Sequence, residues 1–312
     1  TGSAAGVFQS NGDNDVTLQT GNSTTGSITI TDGANGNIAI APNGSGAVQL
    51  DGLSWPTADG SANQALVTDG SAALSWASVA TDLGDLSDAL IEDTGSMYVG
   101  NDPSSTTDDA NYNLAVGVTA LDAITTGDGN TAVGYIALSD NTTGAANSAF
   151  GSYALGNSTT GSRNTAVGYQ ALKTNETGGH NTGLGYAALL ATTGESNTAL
   201  GAFGMSSNTS GPSNVGVGMS ALKSNTTAGY NTAIGRSALQ DADRTADTDG
   251  YNTAVGYAAG YTGTNNVSTG NKNTLLGAST AASAAAGTNQ TVIGYGASGV
   301  ANNSVTIGNS DV

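Results

Sequence analysis

The last two-thirds of the chain repeat one pattern of apolar and polar positions. From residue 113 onward, variants of Asn-Thr-Ala-Val-Gly-Tyr-x-Ala-Leu recur, and the glycine of this motif occurs twelve times, mostly at steps of 17 residues. These glycines are Gly117, Gly134, Gly151, Gly168, Gly185, Gly201, Gly218, Gly235, Gly256, Gly277, Gly294 and Gly308. A fixed period is typical of repeat architectures, in which each copy is one structural unit that stacks on its neighbours.

The order of positions within each copy predicts short strands. An apolar residue always precedes the glycine, asparagine lies four residues before it in ten of the twelve copies, and Leu or Met usually lies four residues after it. A helix is disfavoured by the central glycine, by the β-branched neighbours and by turn tracts such as 141–144. We therefore predict one coil of a parallel β-solenoid per copy, with asparagine stacked on asparagine as an amide ladder.

The apolar columns predict a narrow core and an exposed stripe. We expect the Val or Ile before each glycine to stack into a core column. Neighbouring residues such as Ala132 and Val133 place apolar atoms on both faces of the strand, and a coil of 17 residues can enclose only one face. The other face would expose a long apolar stripe. The pattern therefore predicts an oligomer about a common axis, and twelve coils at about 4.8 Å each give a rod on the order of 55–60 Å long.

The first third of the chain has a different pattern, which predicts three further regions. Residues 1–52 contain short apolar–polar–apolar strands at intervals of roughly ten residues, typical of a β-rich fibrous shaft. Residues 53–80 contain both tryptophans and several Asp-Gly turns, which indicate a small junction domain. Residues 81–112 form an acidic linker whose leucine spacing fits either a short axial helix or an extended segment. The solenoid is predicted over 113–312.

Composition and charge narrow the classes of function. The chain has 312 residues, of which 10% are charged, and it contains no cysteine, which excludes disulfides, thiol catalysis and zinc–thiolate sites. Six basic residues stand against 24 acidic ones, so we predict no nucleic-acid partner and no attraction to anionic lipid. No stretch approaches 18 apolar residues, so we predict no membrane insertion. The chain begins at Thr1 without a signal pattern, and we expect a processed product or part of a longer polypeptide.

Candidate chemistry is sparse. His180 is the only histidine and lies in a glycine turn with no nucleophile or carboxylate at a fixed spacing, so we interpret it as a surface residue. The acidic tract at 241–250 lies in a four-residue insertion of the period and suits either a calcium ion or a solvated loop. A second insertion carries the tyrosine- and asparagine-bearing segment 261–266. We predict no enzyme activity, no cofactor and no catalytic or metal residues, and we take the two insertions as candidate contact loops.

The repeats resemble the head-type repeats of trimeric autotransporter adhesins. The last copy, Asn-Ser-Val-Thr-Ile-Gly at 303–308, is the most similar to the motif of that family. The longer repeated motif is also similar to repeats in the tail fibres of tailed bacteriophages. The Leu-Ser-Trp-Pro block at 53–76 and the segment 82–103 both resemble junction segments of those fibres. The junction resemblance favours the phage fibre over the adhesin.

These families imply a homotrimer of three left-handed parallel β-rolls packed about one axis, with an extracellular location in the tail fibre of a virion. They also imply contacts with other phage tail or baseplate proteins and with a host surface receptor, for which a glycan is one candidate. We therefore predict a structural fibre protein of a phage virion that mediates host attachment. The alternative is a bacterial surface adhesin or extracellular filament built from the same repeats. A third hypothesis is an ice-binding solenoid, because threonine columns such as Thr165 and Thr182 recur.

Overall fold

The computed structural model describes residues 16–19, 27–30, 38–41, 48–50, 53–56, 58–71, 73–79, 89–91, 95–100, 109–243 and 249–311. Over these residues the chain is all-β and has no helix, which confirms the predicted fold class. The chain divides into two units, Thr1–Asp85 and Leu86–Val312. Antiparallel pairs make up the first unit, whereas one long sheet, parallel in all but its first pair, dominates the second.

Short antiparallel strands begin the first unit. Strands β1 (Val16–Gln19), β2 (Ser27–Ile30) and β3 (Ile38–Ala41) form one sheet in sequence order. Strand β4 (Gln49–Leu50) pairs with β5 (Leu53–Ser54). These strands confirm the short strands that the alternating pattern predicts for the shaft.

A hairpin follows in the region predicted as a junction. Strands β6 (Gln64–Thr68) and β7 (Leu74–Ser78) pair antiparallel around a turn that begins at Asp69. The Asp69 carboxylate accepts hydrogen bonds from the backbone N–H groups of Ser71 at 2.7 Å and Ala73 at 3.2 Å. These two bonds, with that from Ser71 the larger contribution, hold the pKa of Asp69 below its ordinary value because they favour the charged form.

Trp76 connects the preceding loop to this hairpin through a hydrogen bond and a close backbone contact. Its indole Nε1 donates a hydrogen bond to the carbonyl oxygen of Ala58 at 2.9 Å. A Cβ atom on Gly60 would lie 2.6 Å from Cδ2 of the Trp76 ring, so the backbone passes the ring at a distance that only glycine permits. One large ring thereby organises a region that has few other large apolar side chains.

A single sheet of 14 strands runs through the second unit. Its first strand, β8 (Ala89–Ile91), is antiparallel to β9 (Met97–Val99), and every later pair is parallel and in register. One three-residue strand follows in each repeat: β10 (Leu114–Val116), β11 (Thr131–Val133), β12 (Ser148–Phe150), β13 (Thr165–Val167), β14 (Thr182–Leu184), β15 (Thr198–Leu200), β16 (Val215–Val217), β17 (Thr232–Ile234), β18 (Thr253–Val255), β19 (Thr274–Leu276), β20 (Thr291–Ile293) and β21 (Val305–Ile307). The sheet begins N-terminal to residue 113, and part of the segment considered for a helix is strand β8. The rest of that candidate helix, 82–88, lies outside the described residues.

The glycine column bends the chain after each strand. From Gly117 to Gly294 these glycines have φ between 127° and 138°, a region that favours glycine. A Cβ atom on Gly168 would lie 2.7 Å from the carbonyl oxygen of Gly185 in the next coil. Backbone conformation and coil spacing therefore both exclude a side chain, which confirms that these glycines occupy equivalent turns.

Two columns of modest apolar side chains fill the solenoid. The middle residue of each strand from β10 to β20 is buried and is most often alanine, as at Ala166. The residue four after the glycine, Leu172 in the same coil, is also buried. The prediction that the Val or Ile column forms the core is wrong, because Val167 and its equivalents point outward. Successive side chains of a strand alternate between faces, and the narrow interior takes the smaller of the two.

A ladder of buried asparagines crosses the coils, as predicted. Oδ1 of Asn164 accepts a hydrogen bond from the backbone N–H of Asn181 at 2.9 Å. Its Nδ2 donates to the carbonyl oxygen of Gly178 at 2.9 Å and to Oδ1 of Asn147 at 3.2 Å. Each asparagine thus satisfies backbone groups in its own coil and in the next one. The ladder ends at Gln290, whose side-chain amide accepts from the backbone N–H of Ser283 and donates to the Ser283 hydroxyl, both in the preceding coil.

Candidate functional site

The residue before each glycine belongs to one continuous column on the outer face of the sheet, named here the outer apolar column. Its members are Val116, Val133, Phe150, Val167, Leu184, Leu200, Val217, Ile234, Val255, Leu276, Ile293 and Ile307. Val167 is 36% exposed and Ile307, in the last strand, is 74% exposed. At about 4.8 Å per coil the column is roughly 55 Å long. An exposed apolar stripe of this length is typical of an interaction surface.

Threonine lines the same face beside this column. The first strand position is threonine in eight of the twelve coils, and these threonines are half-buried. The other four coils carry Leu114, Ser148, Val215 and Val305 at this position. The regular threonine array that the ice-binding hypothesis requires is therefore interrupted in a third of the coils.

A stripe of aromatic rings lies just beyond the glycine column. Neighbouring ring centroids are 5.0–6.0 Å apart along Tyr135, Tyr153, Tyr169, Tyr186 and Phe203. The Nζ atom of Lys173 lies 5.0 Å from the centroid of the Tyr153 ring, a cation–π geometry. Burial, with a smaller contribution from Tyr135, raises the pKa of Tyr153 above its ordinary value. The stripe is an exposed aromatic surface that the sequence pattern did not single out.

His180 is exposed in its turn, which confirms its interpretation as a surface residue. Its Nε2 atom lies 3.4 Å from Nη1 of Arg163, which occupies the same position one coil earlier. Two basic side chains in contact do not form a nucleophile–base pair or a base–carboxylate pair. This contact therefore gives no support to a catalytic role for His180.

The described part of the acidic tract links coils to one another. Asp243 accepts hydrogen bonds from the hydroxyl and the backbone N–H of Thr226, and its own N–H donates to the carbonyl oxygen of Ser268 at 2.7 Å. Oδ2 of Asp241 accepts a hydrogen bond from Nδ2 of Asn266 at 2.8 Å. Residues 244–248 lie outside the described residues, and among the described ones no group of three or more His, Asp or Glu is placed to hold a metal ion. The carboxylates of Asp241 and Asp243 thus connect the first insertion to neighbouring coils.

The second insertion forms a loop outside the core, here named the tyrosine loop (261–266). Gly260, with φ of 74°, occupies the position that leucine takes in most coils, and a Cβ atom there would lie 2.8 Å from Cδ2 of Leu239. The backbone N–H of Val267 donates to the carbonyl oxygen of Gly260 at 2.9 Å, and the Val267 side chain is fully buried. Val267 supplies apolar bulk that Gly260 lacks, and the six residues between them bulge outward.

An open pocket of about 380 Å³ lies between the tyrosine loop and the adjoining coils. Its lining residues are Ser237, Tyr257, Ala258, Tyr261, Thr262, Gly263 and Ser279. None of these side chains carries a charge at neutral pH. The sequence identified the insertion as a candidate contact loop, but it did not identify Tyr257 or the two serines. The available signal was the glycine in place of leucine at 260, followed by the break in period.

Comparison of the chain with protein-family models, with curated proteins and with solved structures finds no match. Across the described ranges, no helical segment has the length and apolarity needed to cross a bilayer. Three surfaces therefore carry the functional argument: the outer apolar column, the aromatic stripe and the pocket beside the tyrosine loop.

Proposed function

We propose that this chain is a structural fibre protein of a phage virion, a homotrimeric tail fibre that mediates host attachment. The observation that carries the proposal is the outer apolar column, which is apolar in all twelve coils and stays partly exposed in the single chain. Three copies packed about an axis parallel to the rod would bury each column against its two counterparts. Symmetric closure of this kind leaves no apolar stripe for further association.

The size of the apolar column supports a stable assembly. Fully burying a Val, Leu or Ile side chain contributes about 1.5–3 kcal/mol, so burying the exposed third to half of each contributes about 0.5–1.5 kcal/mol. Over twelve coils the sum is on the order of 10 kcal/mol per chain, or about 30 kcal/mol per trimer, against a cost of about 4–15 kcal/mol for each of the two association steps. The stripe is therefore long enough to drive assembly, and a few coils alone are not.

The attachment role and the virion location rest on the sequence resemblance and on the layout of the chain. The junction segments resemble those of phage tail fibres, and the solenoid offers a rod with loops that interrupt its period. Columns must repeat in order to stack, whereas insertions are free to differ, so a host receptor would contact the insertions. Other tail or baseplate proteins are the expected partners at the attachment point.

The assembly is tested by measuring the mass of the full chain in solution. We expect three times the 30.2 kDa of one chain by analytical ultracentrifugation. A variant with Phe150→Asp, Val167→Asp and Leu184→Asp places charges in three consecutive coils of the column, and we expect a folded monomer. The matched control carries Thr143→Asp, Thr160→Asp and Thr177→Asp, which add the same charges in three exposed turns and should leave the trimer intact. A wild-type chain that sediments as a folded monomer overturns the proposal.

The location is tested with antibodies raised against the chain. Immunogold electron microscopy of purified virions should label the tail fibres, and the antibodies should block adsorption to host cells. If the antibodies instead label the bacterial surface and leave the virions unlabelled, the result supports the alternative, a surface adhesin or extracellular filament.

A further inference from the structure

We infer that the pocket between Tyr257 and the tyrosine loop binds one ring of a neutral saccharide. The inference deepens the attachment role proposed above and rests on it for its biological meaning, although binding itself can be measured on the isolated protein. All seven lining residues belong to one protomer.

The chemistry of the lining matches that of a sugar ring. Two tyrosines, Tyr257 and Tyr261, offer aromatic surface for the C–H groups of a pyranose and phenolic hydroxyls for its oxygens. Ser237 and Ser279 add two further hydroxyl groups, each able to donate and accept. In the single chain Tyr257 is 57% exposed, so its ring forms an open wall of the pocket.

The pocket is held in shape before any ligand arrives. The N–H of Tyr261 donates to the carbonyl oxygen of Ala258 at 3.0 Å at the start of the loop. Oδ1 of Asn266 accepts from the N–H of Gly263 at 2.6 Å, and its Nδ2 bonds to Asp241 in the neighbouring insertion. Such a loop need not be ordered by the ligand, which reduces the entropic cost of binding.

The size of the pocket suits one sugar ring. The volume of about 380 Å³ falls within the range of roughly 300–1,000 Å³ that is usual for small-molecule sites.

The charge and polarity of the lining disfavour anionic ligands and purely apolar ligands. The lining has no cationic side chain, Asp241 lies behind the loop, and the net charge of the chain is −18, so an anionic ligand would be repelled. Ala258 is the only aliphatic side chain in the lining, so a purely apolar ligand would leave the hydroxyls of two tyrosines and two serines without partners. A neutral saccharide carries no negative charge and offers hydrogen-bond partners to the hydroxyls of the lining.

The test titrates the assembled full chain with methyl α-glucopyranoside, methyl β-galactopyranoside and N-acetylglucosamine, observed by saturation-transfer NMR and calorimetry. We expect at least one of these probes to bind with a dissociation constant of about 1 mM, the strength of a single shallow contact. Tyr261→Ala and Ser279→Ala should each weaken binding about tenfold, since they remove one aromatic contact and one hydroxyl respectively. The matched control is Tyr295→Ala, in the same column as Tyr257 two coils away, and it should bind like the wild type.

The outcomes separate the pocket from the fibre proposal. Absence of binding for all three probes, or equal binding by the Tyr261→Ala and Tyr295→Ala variants, overturns the saccharide site. If sedimentation then still gives a trimer and the virions are still labelled, the fibre proposal stands. Saccharide binding by a chain that proves monomeric would contradict the trimer and leave the pocket intact. Circular dichroism of each variant verifies that the coils remain folded.

Discussion

Replacing Asn164 by alanine tests the buried amide ladder in the middle of the solenoid. The change removes the acceptor for the backbone N–H of Asn181 and two donated bonds, to Gly178 and to Asn147. Two of the partners keep another bond: Gly178 still accepts from Nδ2 of Asn175 at 2.9 Å, and Asn147 still accepts from the backbone N–H of residue 164 at 2.9 Å. Only the N–H of Asn181 is left buried without an acceptor.

The expected loss follows from this count. An orphaned buried N–H costs about 1–3 kcal/mol, and the weakened bonds at the other two acceptors add about 1 kcal/mol. The free energy of unfolding should therefore fall by about 2–4 kcal/mol per chain. Urea denaturation followed by circular dichroism, at fixed protein concentration, measures the change as a shift of the midpoint with an unchanged slope.

Two further variants make this result specific to the ladder. Asn157→Ala changes a half-buried asparagine in a turn that takes no part in the ladder, and it should lower the free energy of unfolding by less than about 0.5 kcal/mol. Asn164→Asp keeps an acceptor for Asn181 but buries a charge that faces two acceptor oxygens, so it should be the most destabilised variant at neutral pH. Part of this loss should be recovered at acid pH, where the protonated carboxyl again donates. Equal midpoints for the alanine variants at 157 and 164 would refute the role given to the ladder.

Three other predictions concern the turns and the core. Gly168→Ala should lower the free energy of unfolding by more than about 3 kcal/mol, because it adds a Cβ atom 2.7 Å from the carbonyl oxygen of Gly185. Gly129 has φ of 66° and open space around it, so Gly129→Ala should cost only about 1 kcal/mol, and thermal melting compares the two variants. Leu172→Ala should lower the free energy of unfolding by about 2–5 kcal/mol, measured by urea denaturation. The stability that Asp69 contributes to its hairpin should be complete at neutral pH and should be lost as the pH falls through its lowered pKa. An NMR titration of the wild type, with the Asp69→Asn variant as the control, measures this pKa. A pKa of Asp69 at its ordinary value would contradict the prediction.

The glycine and asparagine columns could be predicted because few residues fit their positions. A backbone bend with φ near 130° and a close neighbouring carbonyl admit only glycine, and a side chain that both donates and accepts across coils is best supplied by an amide. The side of the sheet that faces the core could not be predicted in the same way. Ala132 and Val133 alternate across the strand in either arrangement, and only the width of the coil decides between them.

That width depends on backbone conformations that the sequence pattern does not reveal. Leu172 has φ of 54° and Gln170 has φ of 58°, a left-handed conformation that residues with side chains adopt rarely. These turns tighten each coil until alanine is the side chain that fits opposite them. The pocket was equally hidden, because Ser237, Tyr257 and Ser279 come from three successive coils and become neighbours only when the coils stack.

The antiparallel pairing of β8 with β9 gives the rod a polarity. Each strand from β9 to β20 pairs with a parallel, in-register successor, but the other edge of β9 is bonded to β8, which runs the opposite way. A coil of the repeating type therefore cannot be added beyond β9, whether it comes from the same chain or from another copy. Parallel sheets with two open edges can grow without limit into fibrils, as in cross-β assemblies. By reversing one three-residue strand, the chain ends the parallel, in-register stack at β9, and any added strand would have to pair with the antiparallel β8 instead.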